Sequence, residues 1–521
     1  MERDYDVIVI GAGLGGLTAA AQLARAGCKT LLIERSYSVG GAASTYKSGE
    51  LVIEGSLHET ANPESPLDPK HAILKDIGVL NKVAWVPIDA IYEVRGGPLG
   101  VPFTLPHGFA QTREALIDRF PTLAPGITDV VAEMERITSA LGTLSGGRAA
   151  FKDPVAGVSA LAKLVPMASS WRQTLSERLR SAFGDNEAAK CALAANLLYW
   201  HDDPDELWWI LFAAAQGGYI GAGGSFVQGG SQRLSNAIAR AFRAAGGELL
   251  LHRRVSEILL DADGLPCGVA HVGKDGGEGV QVRAPVVVGN AAPSVLADML
   301  PEPARQRFFA PYAAQALSIS LFSATIGLSE APERFGLSAY STMLLPEWMR
   351  TLADYRRGAA IMAAPPGEAM PPLAVVNYSA IDSGLGGPLH SVSIVGADRP
   401  ANWRGLDAGA YDEKRQLWLK ALIAGLDRVY PGLAESVVAS ILNTPTSISG
   451  YLGAPEGAVY GFAPLPPSGL IWNGPRCSPR TALDRLFLAS AYASSGGYTG
   501  AILGGAMAAR KALRALPVSK K

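Results

Sequence analysis

The sequence predicts an α/β fold, a parallel sheet with an attached antiparallel meander, interleaved with a second, α+β domain. Three observations predict it. The chain opens on an apolar run, a glycine turn, a helical pattern and a second apolar run. Its middle carries an amphipathic helical segment, several short strand-like runs and the apolar "PVVVGNAAP". Near its end, "ASAYASSGGYTGAILGGAMAAR" runs from Ala489 to Arg510 with no charge before Arg510.

Length and composition bound the problem first. A chain of 521 residues exceeds one simple core and calls for about two to four units of roughly 100–200 residues. With 48% hydrophobic and 18% charged residues it lies at the apolar edge of globular proteins, away from disordered ones. The 46 basic and 47 acidic residues nearly cancel, without long like-charge blocks, which argues against a nucleic-acid partner. Cys28, Cys191, Cys267 and Cys477 are widely separated, so neither a zinc site nor a disulfide framework is expected. The N-terminal "MERDYDVIVIGAG" turns at once into a strand and glycine loop, unlike a signal peptide, and the expectation is a cytoplasmic protein. Two long uncharged stretches, 207–232 and 486–509, raise a membrane question. Both hold several glycines and polar residues, whereas a span requires about 20 predominantly apolar residues.

In "YDVIVIGAGLGGLTAAAQLARAGCKTLLIER", Val7 to Ile10 reads as a buried parallel strand and Thr30 to Ile33 as a second. Between them Leu17, Ala20, Ala21, Leu23 and Ala24 mark a helix, so the unit is Rossmann-like. Gly11 permits the tight turn, Gly13 a close approach to a pyrophosphate and Gly16 close helix–strand packing, with Gly15 completing the loop. Glu34, followed by Arg35, ends the second strand where an acid accepts hydrogen bonds from a ribose diol and repels a 2′-phosphate. Gly40 and Gly41 in "RSYSVGGAAST" would bring more backbone to the same pyrophosphate, which favours FAD over NAD.

From Ser225, Leu234, Ile238, Ala241 and Phe242 follow helical spacing, and Gly246 with Gly247 stops the helix. Breaks at "DADG" and "GKDGGEG" then divide short strands, and "PVVVGNAAP" returns a strand to the parent sheet.

Four blocks together resemble the phytoene desaturase superfamily of FAD enzymes, which includes carotenoid desaturases, carotenoid cis–trans isomerases and retinol saturases. They are "DVIVIGAGLGGLTAAAQLARAG" with "LLIERSYSVGGAAST", "VQGGSQRLSNAIARAFRAAGGELLLHRRVSEIL", "VVVGNAAP" and "LDRLFLASAYASSGGYTGAILGGAMAARKAL". They run from end to end in the family's order. The resemblance implies that the segment at Val255 closes over the adenine and that the strand 486–491 brings the terminal helix under the flavin. Gly496, Gly497 and Gly500 would let backbone approach the flavin ring, and a helix from about Thr499 would offer N–H groups to its electron-rich end. The other reading of this run is a glycine-rich core helix.

The domain division expected is 1–82, 225–301 and 442–521 for FAD binding, with 83–224 and 302–441 forming the substrate lobe. In that lobe "SERLRSAFGDNEAAKCALAANLLYW" and "DDPDELWWILFAAAQ" read as helices. Trp208, Trp209 and Phe212 would line a lipid channel, make peripheral contact with the inner face of a membrane, or sit in an ordinary buried helix. His201, Asp202 and Asp203 look metal-like, but Asp203, Pro204 and Glu206 match an N-cap, first-turn proline and capping-box partner, and no metal is expected.

The flavin carries the hydride chemistry, so catalytic side chains leave little trace in sequence. In "VIEGSLHETANPESP", His58 would shuttle a proton near neutral pH and Glu59 would orient it or act as base, beside a plain hydrogen-bonding role for His58. Tyr498 would touch substrate or the ring edge, or simply pack. The expected function is FAD-dependent oxidation or reduction of carbon–carbon double bonds in a hydrophobic polyene, isoprenoid or lipid. Flavin-dependent isomerisation without net redox, amine oxidation and a non-catalytic FAD scaffold stand as alternatives.

Overall fold

A computed structural model describes residues 4–56, 58–145, 169–273, 276–468 and 478–517, so Cys477 and part of the expected substrate lobe lie outside the described residues. The strands Val7–Ile10 and Thr30–Ile33 form with the predicted bounds, joined by the helix Leu14–Arg25. They are the centre of a five-stranded parallel sheet in the order Glu248–Leu250, Thr30–Ile33, Val7–Ile10, Val286–Gly289, Leu486–Leu488. The two ends of the chain therefore meet in one sheet.

Both faces of that sheet are covered, which explains why its strands are apolar at every position rather than at alternate ones. Val7 and Val9 pack under three helices, Leu14–Arg25, Ser231–Ala244 and Gly497–Ala515, whose Leu17, Ile238, Phe242 and Ile502 complete that core. Ile8 and Ile10 face the other way, toward Val255, Ile258 and Val269 of the antiparallel meander Arg253–Leu260, Pro266–Gly273, Gly276–Arg283.

The uncharged C-terminal run is the strand Leu486–Leu488 and the helix Gly497–Ala515, which starts two residues before the expected Thr499. Among the described residues no helix is long and apolar enough to cross a membrane. Its glycines serve a close crossing: a Cβ on Gly505 would lie 2.2 Å from the Gly15 carbonyl oxygen, and one on Gly15 would lie 1.9 Å from that of Ala489. Backbone on both sides cannot withdraw. Gly15→Ala is therefore expected to destabilise the fold by at least about 1–3 kcal/mol, the usual range for overpacking, read as a lower thermal midpoint.

The second lobe centres on a seven-stranded sheet in the order Val437–Asn443, Leu321–Leu328, His390–Ala397, Leu373–Asn377, Ser341–Leu345, Ala90–Gly96, Phe103–Pro106. Its edge strand Val437–Asn443 runs across the residue-441 boundary expected from the sequence. The helix Ala408–Val429 packs Trp418, Leu422 and Leu426 onto this sheet. The helices Ala124–Ser145, Leu175–Phe183 and Trp209–Ala222 share a separate core. A small sheet of Thr60–Ala61, Gly224–Val227 and Trp85–Ile88 brings the segment after Glu54 against the end of the 209–222 helix.

The expected helix initiation at Asp203 does not occur: residues 204–206 form a turn and the helix begins at Trp209. Asp203 Oδ1 accepts from the Asp205 N–H at 2.9 Å, and the Pro204 carbonyl accepts from the Ser176 N–H at 3.0 Å, so the local polar groups close a turn against another segment. Trp209 and Phe212 are wholly buried in the helical core, with Arg178 over the Trp209 ring at 5.6 Å, so neither faces a membrane or a channel. Trp208 is half-buried, its indole N–H donating to the Trp171 carbonyl at 2.7 Å. Among the described residues no cluster of His, Cys, Asp and Glu is arranged to hold a metal.

Candidate active site

Four neighbouring strands end at one place. The Gly11–Gly13 loop follows the first, Glu34 the second, Asn290 the strand Val286–Gly289, and Ala489 with Ser490 the last. The carboxyl edge of a parallel sheet is where such folds bind ligands, and a cavity of about 1320 Å³ opens there.

The Glu34 carboxylate is only 8% exposed. Its Oε2 accepts the Ala12 N–H at 2.6 Å and its Oε1 the Ser36 N–H at 2.8 Å. A carboxylate has about four acceptor positions, so two backbone donors fix it and leave capacity for a ribose diol. Gly13 and Gly40 meet in a parallel bridge, and the Gly40 N–H donates to the Ala12 carbonyl at 2.8 Å, which draws the second glycine pair onto the first loop. Gly11, Gly13, Gly15, Gly40, Gly41, Val255, Gly496 and Gly497 all line the cavity. Gly16 and Gly500 do not appear in its wall: a Cβ on Gly16 would lie 2.0 Å from the Gly11 carbonyl, and one on Gly500 would press on the Ser495 backbone at 3.0 Å. Both serve packing. Arg35 lines the cavity but commits its guanidinium elsewhere, donating to the Tyr451 carbonyl at 2.6 Å near the C-terminal end of the helix Pro445–Leu452. These groups fit a dinucleotide with a free 2′-hydroxyl, as FAD has.

Sequence reasoning missed Asn290. Its N–H donates to the Ile10 carbonyl at 2.7 Å, and its side chain lies beneath the glycine loop, 2.8 Å from where a Cβ on Gly13 would be. The available signal was a polar residue directly after a buried parallel strand in "VVVGNAAP". A further support is buried beside the terminal helix. Lys70 Nζ pairs with Asp68 Oδ2 at 2.6 Å and donates to Thr499 Oγ1 at 2.8 Å, with both charged side chains essentially inaccessible. It ties the N-terminal turn of that helix to the segment carrying His58 and Glu59.

His58, Glu59 and Tyr498 all line the cavity. The Tyr219 hydroxyl donates to the Glu59 carbonyl at 3.3 Å, and the Tyr340 hydroxyl donates to that of His58. The His58 ring lies against Tyr199 at 6.0 Å between centroids, and Tyr498 Oη is 3.1 Å from Ser56 Oγ. Burial lowers the His58 imidazole to about 4, which favours its neutral form at pH 7. Glu59 is 6% exposed and neither carboxyl oxygen has a hydrogen-bond partner of good geometry among the described residues. Burial pushes its carboxyl up to about 8, against the opposing influence of the Tyr199 hydroxyl, so it holds a proton at pH 7. Tyr199, the stretch holding Tyr219 and Gly224, and Tyr340 around His58 and Glu59 come from three separate parts of the chain, which no local pattern could reveal.

The flavin containing amine oxidoreductase family model matches residues 14–326. The chain is 23% identical over 488 residues to the all-trans-retinol 13,14-reductase of Danio rerio, covering 88% of this chain and 78% of that protein. It spans about half the length, 47%, of the Homo sapiens all-trans-retinol 13,14-reductase. It is 25% identical to the chloroplastic prolycopene isomerase 1 of an Oncidium hybrid cultivar over 90% of this chain and 77% of that one. Its fold is similar to the solved cyclohexylamine oxidase of Brevibacterium oxydans, with a TM-score of 0.60, 15% identity and coverage of 98% and 99%.

Proposed function

The chain belongs to the flavin containing amine oxidoreductase family and is an FAD-dependent oxidoreductase, and from that premise we propose that it adds a hydride and a proton across a carbon–carbon double bond of a hydrophobic polyene. The observation that carries this reading is Glu59: a buried carboxyl in the wall of the same cavity as the glycine loops, with burial pushing it up to about 8. Saturating a double bond consumes one proton per turnover, and a carboxyl kept neutral by burial is a proton donor at pH 7. The similarity to a retinol reductase supports the same direction.

We assign Glu34 to the ribose, the loops at Gly11–Gly16 and Gly40–Gly41 to the pyrophosphate, Val255 to the adenine side, and Gly496, Gly497 and the terminal-helix N-terminus to the ring. Residues 1–82, 225–301 and 442–521 would form this lobe, and 83–224 with 302–441 the substrate lobe. Bound FAD, once reduced by an external electron donor, would supply the hydride. Glu59 Oε holds the proton for the neighbouring carbon, while Tyr199, Tyr219 and neutral His58 keep water from that carboxyl. Tyr498, whose phenol burial raises well above its ordinary value, stays neutral and shapes the wall.

A second reading, isomerisation without net redox, is favoured by the similarity to prolycopene isomerase. The two separate in one anaerobic experiment on the holoenzyme with its flavin chemically reduced. All-trans-retinol or a carotenoid should restore the oxidised flavin spectrum and yield a product heavier by two hydrogens. A product of unchanged mass and altered geometry, with flavin still reduced, would replace saturation by isomerisation. If the oxidised holoenzyme is instead bleached by amines, releasing aldehyde and, in air, peroxide, while polyenes leave the reduced flavin unchanged, the polyene reading is wrong.

A further inference from the structure

Beyond the glycine loops the cavity continues along one side of the helix Trp209–Ala222, where its wall is Leu211, Ala214, Ala215 and Gly218, with Tyr219 beside them. Residues at this spacing form a single helical stripe, rising about 10 Å from first to last. All four are partly accessible, whereas Trp209, Phe212, Ala213, Gln216 and Gly217 on the remaining faces are buried. Thr138 and Leu141 of the helix Ala124–Ser145 also line the cavity.

The glycines of this helix divide by task. A Cβ on Gly217 would lie 2.2 Å from Thr138 Oγ1, and one on Gly221 2.8 Å from Phe109 Cε2, so these two lock the helix to its neighbours. A Cβ on Gly218 would meet nothing within 4 Å. That glycine is not required for packing, and its absent side chain leaves room in the cavity. The stripe offers no polar side chain, and the Thr138 hydroxyl is already satisfied, donating to the Met134 carbonyl at 2.8 Å. Elsewhere in the same cavity lies the buried Glu59 carboxyl.

We propose that the 211/214/215/218 stripe, with Thr138 and Leu141, is the channel for the apolar chain of the substrate, and that Ala215 and Gly218 set its bore. An extended polyene chain with no branch larger than a methyl fits such a wall; a chain with bulky branches does not. The inference rests on the polyene reading and specifies where that substrate lies.

Binding of all-trans-retinol to the holoenzyme, followed by quenching of tryptophan fluorescence, tests it without requiring turnover. Ala215→Phe and Gly218→Leu should each retain full FAD and weaken retinol binding at least tenfold. Gly218→Ala places one methyl in open space, so it should raise the thermal midpoint, as helix propensity requires, while weakening binding by a smaller factor. That variant keeps the test decisive if the bulkier ones do not fold. Wild-type affinity in every variant that folds and holds FAD would overturn the channel. Wild-type protein that binds retinol tightly but never converts it would refute the proposed reaction and leave the channel standing; failure to bind retinol at all would refute both.

Discussion

Glu34→Arg should purify colourless. In the native chain this carboxylate accepts two short backbone N–H bonds from Ala12 and Ser36 and has acceptor capacity left for the ribose diol. Hydrogen bonds to a charged group contribute about 1.5–3 kcal/mol each, and arginine replaces an acceptor by donors only. It leaves the Ala12 N–H without its carboxylate and turns a cation toward the place of the diol. FAD affinity should fall by at least about 100-fold, since each tenfold corresponds to about 1.4 kcal/mol. The measurement is flavin absorbance relative to protein absorbance after gel filtration, with circular dichroism to establish that the chain is folded. A folded Glu34→Arg protein carrying a full complement of flavin would remove Glu34 from the ribose assignment.

Glu59→Gln should leave the flavin in place and abolish most turnover. The substitution keeps the shape of the side chain but removes the transferable proton, and loss of a positioned acid typically lowers the rate by about 10²–10⁴. The pH dependence follows from the raised carboxyl. Wild-type activity needs the protonated form, so it should hold below about 8 and decline as pH rises through that value. In the glutamine variant that limb should vanish. Stability has the same origin. Between the ordinary value of 4.5 and about 8 the folded protein retains a proton that the unfolded chain has released, so this group favours folding less as pH rises through that interval. Glu59→Gln should therefore raise the thermal midpoint above pH 8 while depressing catalysis. An unchanged rate, or an alkaline limb that persists in the variant, would exclude Glu59 as the donor.

Those two residues also differ in how far the sequence announced them. Glu34 was legible because its role is local: it ends a strand a fixed distance from the glycine turn that opens the same strand, helix, strand unit. Glu59 stood out only as a titratable residue near a glycine motif. Whether it is acid or base depends on burial by Tyr199, Tyr219 and Gly224, residues more than a hundred positions away. His58 shows the same limit, since the burial that keeps Glu59 protonated removes the neutral-pH titration expected of an exposed histidine.

The 209–222 helix illustrates a different limit. Apart from Gln216 and Tyr219 its residues are apolar or glycine on every side, so periodicity has little phase and cannot separate the core face of Trp209 and Phe212 from the cavity face of Ala215 and Gly218. Asp203, Pro204 and Glu206 carried the signature of a helix start, but Trp209 is where the backbone becomes helical, because the intervening turn is held by Ser176 from another segment.

By itself the sequence determined the parallel sheet at Val7–Ile10 and Thr30–Ile33, the glycine turn between strand and helix, the acid at Glu34 and the glycine-rich terminal helix. Each depends on residues close together in the chain, where side-chain size, charge and backbone freedom act directly. Tertiary structure alone decided which carboxyl keeps its proton, where Asn290 supports the loop and which face of an apolar helix borders empty space. Those properties are set by desolvation and packing among distant segments, and neither exists until the chain has folded.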